Sequence, residues 1–189
     1  MAQSLRIVGI AGSLRAQSCS RAVLDTLAER FQGDAEFTIL DIGAMPHYNQ
    51  DHDGNAHTPT AVADGREQVA QADAVIIVTP EYNHGLPGVL KNALDWLSRP
   101  AFTSCFCDKP VFFITVAPGV LGGVRAQHQM RETMSSMLCR LFPLPEVAIT
   151  QVKNKIENHR LVDPAALEFT DTAMTRFLAQ LRQFDTASA

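Results

Sequence analysis

Residues 74–97 read AVIIVTPEYNHGLPGVLKNALDWL, a strand, a turn and a helix in direct succession. Residues 74–79 form a short apolar run rich in branched side chains, the pattern of a strand buried on both faces. The two prolines and two glycines of residues 80–88 predict an irregular, shaped turn. Proline at a first helical position and apolar residues at 89, 90, 93, 94 and 97 predict an amphipathic helix over 87–97. A buried strand followed by a helix is the repeating unit of an α/β fold.

The same unit precedes this stretch at the start of the chain. Residues 5–11 (LRIVGIA) predict a first buried strand, closed by Gly12. Apolar residues then recur at helical spacing from position 23 to position 31. Ser18 or Ser20 is the predicted N-cap of this helix, and Gly33 is its predicted C-cap.

The rest of the chain continues the alternation of strands and helices. Further strands are predicted at 36–41, 110–116 and 145–149, and further helices at 63–72, 125–141 and 164–184. Five near-continuous apolar strands separated by helices indicate a parallel sheet covered on both faces, an α/β three-layer sandwich. The common strand order for five such strands is 2-1-3-4-5, which opens a ligand crevice at the carboxyl ends of the first and third strands. We expect a single domain spanning 1–189, with its ordered core at about 5–185.

Composition limits the classes of function. The chain of 189 residues has a net charge of −4 and a pI near 5.8, so no broad basic surface for nucleic acid is predicted. Its longest apolar runs are too short to cross a bilayer, and its first residues lack a signal-sequence pattern. The sequence therefore predicts a cytoplasmic protein that binds neither nucleic acid nor membrane, and any anion must be bound locally.

The cysteines and histidines do not form a recognisable metal or disulfide pattern. Four cysteines are too few and too unevenly spaced for a disulfide framework, so reduced thiols are predicted. No second pair of ligands follows Cys105 and Cys107 at zinc-finger spacing, and no metal site is predicted. The polar stretch 45–59 is longer than a normal connection, which favours a functional or interface loop.

The first candidate site is the loop that follows the first strand. Residues 12–20 (GSLRAQSCS) combine small residues, hydroxyls and one arginine, and they lead directly into a helix. Backbone N–H groups, serine hydroxyls, Arg15 and the helix N-terminus together suit a phosphate ester. The alternative is an ordinary serine-rich helix cap. The loop lacks the glycine and lysine spacing of triphosphate-binding loops and the three-glycine spacing of dinucleotide-binding loops. A single phosphate is therefore the predicted ligand.

Two more loops converge on the same edge of the predicted sheet. The turn at 80–88 offers tyrosine, asparagine and histidine beside exposed main-chain groups, which suit a planar ring with polar edges. Residues 117–123 supply a further glycine-rich turn after the fourth strand. The pattern predicts a mononucleotide-like ligand, with its phosphate beside the first helix and its ring over the later loops.

Three motifs resemble the NAD(P)H-dependent FMN reductase family, a flavodoxin-like group that includes bacterial quinone and chromate reductases. They are GSLRxxS at 12–18, PEYNHGxPGxLKNAxDW at 80–96 and PGxxGGxRAQ at 118–127. The resemblance implies that Ser13, Arg15, Ser18 and Ser20 hold the FMN phosphate. It implies that the ring is lined by Pro80, Glu81, Tyr82, Asn83 and His84, with Pro118 and Gly119 closing the far side. Ser20 and His128 depart from the asparagine and tyrosine that are common in the family.

The resemblance also implies an activity. The protein would pass hydride from NAD(P)H, a transient co-substrate, through bound FMN to a flavin, quinone or similar acceptor in ping-pong order, without catalytic side chains or a metal of its own. Relatives of this kind are homodimers or homotetramers, so Lys91, Asn92, Asp95 and Arg125 are interpreted as subunit contacts or loop supports. The alternatives are a flavodoxin-type electron carrier, disfavoured by Arg15 and the modest acidity, and a redox-sensing or flavin-sensing interaction protein.

Overall fold

A five-stranded parallel sheet forms the centre of the molecule. The structure is a computed structural model, and it describes residues 4–54 and 57–188. The strands are β1 (Leu5–Ala11), β2 (Ala35–Ile39), β3 (Ala74–Pro80), β4 (Val111–Val116) and β5 (Val147–Ile149). They lie in the order β2-β1-β3-β4-β5, and each neighbouring pair is parallel. The predicted strand order is confirmed.

Helices cover both faces of the sheet. They are α1 (Cys19–Arg30), α2 (Thr60–Gln71), α3 (Gly88–Leu97), α4 (Val124–Ser136) and α5 (Pro164–Ser188). Because side chains alternate across a strand, Ile76 of β3 joins a core with α1 and α5, whereas Ile77 joins a core with α2, α3 and α4. Both isoleucines are fully buried. The predicted three-layer arrangement is confirmed.

The carboxyl ends of β1 and β3 lie side by side at one edge of the sheet. Ala11 is in register with Val78, and the Gly12 amide continues the pairing by donating to the Val78 carbonyl at 2.8 Å. The loops that leave these two strands therefore start at the same level, which places their side chains around one crevice.

The ends of α1 match the prediction at the first residue and not at the last. Ser18 is the N-cap, and its hydroxyl accepts a hydrogen bond from the Arg21 amide. The predicted C-cap at Gly33 is wrong, because α1 ends at Arg30 with Phe31 as the C-cap. The Phe31 side chain is buried in the core, and its carbonyl accepts from the amides of Asp34 and Ala35. These bonds turn the chain into β2 before Gly33 can cap the helix.

The helix predicted over 125–141 is shorter than its apolar pattern. It ends at Ser136, and Leu138 adopts a left-handed backbone with φ of 60°. Arg140 then pairs like a strand residue: its amide donates to Lys109 O at 2.9 Å, and its carbonyl accepts from Val111 N at 3.0 Å. This long-range pairing overrides the local helical periodicity that Met137 and Leu141 continue.

A small antiparallel hairpin was not predicted. Its strands are β6 (Ile156–Glu157) and β7 (Arg160–Leu161). Asn158 and His159 form its tip with φ values of 47° and 60°. The Leu161 amide donates to Thr26 Oγ1 at 3.0 Å, which attaches the hairpin to α1. Two-residue strands show no periodicity, so sequence patterns miss them.

The long stretch at 45–59 packs against α3, and Asn55 and Ala56 within it lie outside the described residues. The carbonyl of Pro46 accepts from Asn92 Nδ2 at 2.9 Å and from Trp96 Nε1 at 2.8 Å. Asn92 Oδ1 accepts from the Tyr48 amide at 2.7 Å. Asn92 therefore supports this loop, as one of its two predicted roles proposed.

The four cysteines are free thiols. Cys105 and Cys107 precede β4, and Cys139 follows α4. Burial raises the pKa of Cys105 to about 11 and the pKa of Cys139 to about 12. Both are protonated near neutral pH, so neither is a nucleophile there.

In the described part of the chain, no group of three or more His, Cys, Asp or Glu side chains is placed to hold a metal ion. Nor does any described helix combine the length and the apolar character needed to cross a bilayer.

Candidate functional site

Gly12 allows β1 and β3 to meet where the crevice opens. A Cβ atom at this position would lie 2.3 Å from Thr79 Oγ1 and 2.7 Å from Thr79 Cβ. Such contacts are far inside van der Waals distance, so a residue without a side chain is required here. The first loop therefore leaves the sheet in direct contact with the third strand.

The serines of this loop gather at the start of α1. Ser18 and Ser20 are buried, and their hydroxyl oxygens lie 2.9 Å apart. Ser13 Oγ lies 3.3 Å from the Tyr82 hydroxyl and accepts from the Arg15 amide at 3.4 Å. Because hydroxyls rotate, these groups can each be turned toward a ligand oxygen. They lie beside the positive end of α1.

Arg15 is exposed at the edge of the loop. Its Nη2 donates to the carbonyl of Gln17 at 2.8 Å. Within the described ranges, no carboxylate lies within ion-pair distance of its guanidinium. Its positive charge and several of its N–H donors are thus left for an anion.

The loop after β3 forms a tight hairpin. The main-chain groups of Tyr82 and Gly85 exchange two hydrogen bonds of 3.0 Å, and Asn83 and His84 adopt φ values of 49° and 66°. Positive φ at both central residues is typical of a type I′ turn. Gln129 of α4 accepts from the Leu86 amide at 2.6 Å. The hairpin is therefore held in one shape, with Tyr82 at its base.

The side chain of Glu81 binds the start of α4. Its Oε2 accepts from the amides of Arg125 at 2.9 Å and Ala126 at 3.2 Å, and its Oε1 lies 3.6 Å from Arg125 Nη1. The carboxylate thus satisfies two amides that a helix N-terminus leaves free. Arg125 is a loop support, one of the roles predicted for it.

We expect Glu81→Ala to lower the free energy of unfolding by about 1–2 kcal/mol, because two helix amides lose their acceptor. Urea denaturation followed by circular dichroism measures the change. Glu132→Ala is the control, since Glu132 is an exposed glutamate on α4 itself. Equal stability of both variants and the wild type would show that the Glu81 bonds do not stabilise α4.

The turn after β4 is joined to the turn after β5. The carbonyl of Ala117 accepts from the Val152 amide at 3.1 Å, and the carbonyl of Gly119 accepts from the Gln151 amide at 3.1 Å. Pro118 lies between these two bonded positions. The fifth strand therefore adds a fourth turn to the three that the sequence identified.

A cavity of about 260 Å³ lies among these turns. It is lined by Ser13, Arg15, Ser18, Cys19, Ser20, Pro80, Tyr82, Val116, Pro118, Val152 and Lys153. Seven of the predicted site residues are thus brought together. The other four, Glu81, Asn83, His84 and Gly119, stand in the adjoining turns and do not line this cavity.

Four lining residues were not predicted from the sequence. Cys19 lies between the predicted residues Ser18 and Ser20, and Val116 is the last residue of β4. Val152 and Lys153 follow β5. The available signal was their position at the carboxyl end of the fifth strand, the same edge from which the predicted loops leave.

The site and the sheet together define a class of protein. A 2-1-3-4-5 parallel sheet with a hydroxyl-rich and cationic cavity beside β1 and β3 is the arrangement of flavodoxin-like, mononucleotide-binding α/β proteins. The sequence family described as NADPH-dependent FMN reductase matches residues 5–154. The chain belongs to this family, an oxidoreductase family whose cofactor is FMN and whose co-substrate is NAD(P)H.

Individual relatives agree with this assignment. A 2-hydroxy-1,4-benzoquinone reductase from a Burkholderia species is 36% identical over 95% of this chain and 97% of its own. An NAD(P)H-dependent FMN reductase from Pseudomonas aeruginosa is 36% identical over 89% of this chain and 90% of its own. The solved structure of FerB, a flavoenzyme NAD(P)H:(acceptor) oxidoreductase from Paracoccus denitrificans, superposes with a TM-score of 0.85. It is 29% identical and covers 95% of this chain and 98% of its own.

Proposed function

We propose that this protein transfers two electrons from NAD(P)H, through bound FMN, to a quinone, a flavin or a similar small acceptor. One observation carries the proposal: the cavity beside β1 and β3 joins serine hydroxyls and cations to apolar walls and contains no carboxylate among its described lining residues. That composition fits a phosphate ester attached to a less polar group. The quinone reductase named among the relatives supports the acceptor class.

The residues present fit the phosphate of FMN. We propose that Ser13, Ser18 and Ser20 donate hydroxyl hydrogen bonds to it and that Arg15 supplies a forked, charged contact. The Ser18 and Ser20 hydroxyls now bond to each other in a buried position. Each is therefore available to a ligand at little desolvation cost. Ser20 retains a donor at the position where relatives carry asparagine.

The remaining predicted residues would frame the flavin ring. We propose that Pro80, Tyr82 and Pro118 contact it with side chains, since these residues line the cavity. Glu81, Asn83, His84 and Gly119 would contact it through main-chain groups of the two adjoining turns. The fixed hairpin at Tyr82–Gly85 supports this role, because a rigid turn orients a planar ring at low entropic cost.

When bound, FMN supplies the redox chemistry by accepting hydride from NAD(P)H and returning electrons to the acceptor. The protein itself binds the phosphate, orients the ring and leaves one side open to small molecules. No acid–base pair of side chains is required by this division of labour.

We further propose that the chain acts as one domain over 1–189, in the cytoplasm, as a homodimer or homotetramer. The exposed apolar residues Val120, Leu121 and Val124 beside the site support a subunit contact.

We expect ping-pong kinetics, because NAD(P)H and the acceptor would use the same open side of the ring in turn. Initial rates measured against NADPH at several fixed quinone concentrations should give parallel double-reciprocal lines. Lines that intersect would indicate that both substrates bind together, and they would contradict the proposed order.

An anaerobic titration of the FMN-loaded protein tests the function itself. Addition of NADPH or NADH should bleach the flavin absorbance near-stoichiometrically, and addition of benzoquinone should restore it. A flavodoxin-type carrier or a sensor protein would bind FMN and yet show negligible bleaching without a partner reductase. Absence of flavin binding would overturn the proposal at its first step.

A further inference from the structure

Two cations share the surroundings of the candidate phosphate site. Arg15 and Lys153 both line the 260 Å³ cavity, and both also line an adjoining groove of about 490 Å³. The chain contains 20 acidic residues and has a net charge of −4. Even so, none of the described residues that line the cavity or the groove is an aspartate or a glutamate. The excess of positive charge is confined to these two spaces, since a further groove that Arg15 lines contains Asp25 and Asp41 as well as Arg21.

Lys153 is also without a partner in the described part of the chain. Eleven of the 16 lysines and arginines lie within 4.0 Å of a carboxylate of the described residues. The next lysine along, Lys155, is one of them, at 3.7 Å from Asp163. Lys153 forms neither such an ion pair nor a side-chain hydrogen bond with any described residue. No described carboxylate neutralises its charge.

The backbone holds Lys153 at the edge of the cavity. Val152 is 2% exposed and packs in the core on the α1 and α5 side of the sheet. The main-chain bonds of Gln151 and Val152 to the turn after β4 fix the residues just before Lys153. The lysine side chain itself is exposed. Its base is therefore anchored, while its long stem leaves the ammonium group free to move toward a ligand.

A phosphate monoester carries a charge of about −1.5 to −2 near pH 7. Arg15 offers one positive charge, and the N-terminus of α1 adds roughly half a charge. We infer that Lys153 is a second cationic ligand of the flavin phosphate, acting with Arg15 from a separate turn. The inference rests on the proposed function and adds a residue to its binding site. Lysine suits this role, since its ammonium is a compact charge that binds phosphate oxygens without a fixed geometry.

Binding of FMN and of riboflavin to the apoprotein tests the inference, since riboflavin has the same ring and no phosphate. Lys153→Gln should raise the Kd for FMN about tenfold and leave the Kd for riboflavin unchanged, as measured by quenching of flavin fluorescence. Lys153→Arg should keep FMN binding near the wild-type value. Arg176→Gln is the control for loss of one positive charge, because Arg176 is exposed on α5, away from both cavities.

A second readout is the salt dependence of the FMN Kd, which should be weaker in Lys153→Gln than in the wild type or in Arg176→Gln. An FMN Kd for Lys153→Gln within twofold of the wild type, with unchanged salt dependence, overturns the inference. An equal loss of riboflavin affinity does so as well, because it would place Lys153 against the ring. If the wild type binds no FMN at all, it is the proposed function that fails.

Discussion

Arg15→Ala should raise the Kd for FMN about 100-fold, which corresponds to about 2.7 kcal/mol. The expected loss is large because a guanidinium binds phosphate through charge-assisted, forked hydrogen bonds. Arg15 is free for this contact, since its side chain bonds to a main-chain carbonyl and to no described carboxylate. Fluorescence titration of the apoprotein with FMN measures the effect, and the purified variant should lose its yellow colour.

Arg21→Ala is the matched control for that experiment. Arg21 lies six residues further on in the chain, and its guanidinium is paired with Asp25 at 2.7 Å. It does not line the 260 Å³ cavity, and in the adjoining groove that it lines with Arg15 and Ser18 its charge is paired with Asp25. The Arg21→Ala variant should therefore bind FMN with an affinity near that of the wild type. A yellow, fully active Arg15→Ala protein would remove the basis for placing the phosphate in this loop.

Gly12→Ala should lower the free energy of unfolding by about 3 kcal/mol, because the added methyl group overlaps Thr79. The overlap involves Thr79 Cβ at 2.7 Å and Thr79 Cα at 3.0 Å as well as the side-chain oxygen. A rotation of the threonine side chain cannot relieve contacts with these atoms, so β1 and β3 must separate. Thermal unfolding should occur roughly 10 °C lower than in the wild type.

Gly33→Ala provides the comparison for the glycine substitution. No atom lies within 4 Å of a Cβ at Gly33, and its backbone does not require a left-handed conformation. The same chemical change should therefore be neutral or slightly stabilising there. Equal unfolding temperatures for Gly12→Ala and Gly33→Ala would show that the first loop tolerates a wider separation from β3.

The central sheet was predictable because its strands are buried on both faces. Such strands must be apolar at nearly every position, and Val75, Ile76 and Ile77 satisfy that requirement in an unbroken run. The end of α4 was not predictable in the same way. Met137 keeps the helical spacing and is buried, yet the chain has already left the helix, because Arg140 pairs with the segment that enters β4. That pairing joins residues distant in sequence.

The site was predictable where loops follow strands of the sheet and carry unusual residues. Ser13, Arg15 and Ser18 were found by their place after β1, and the structure puts all three around one cavity. Lys153 was missed because no short motif surrounds it and β5 is only three residues long. The direction of the Glu81 side chain was also beyond prediction, since it depends on where the first turn of α4 lies.

The carboxylate of Glu81 has a consequence for the whole crevice. It occupies the amides at the start of α4 with a negative charge, whereas the start of α1 is capped by the neutral hydroxyl of Ser18. The partial positive charge at the start of α4 is thus balanced by a carboxylate of the protein, whereas the partial positive charge at the start of α1 is not. A cofactor with a single anionic tail is therefore expected to bind with that tail toward α1, where Arg15 and the helix N-terminus are not paired with any described carboxylate.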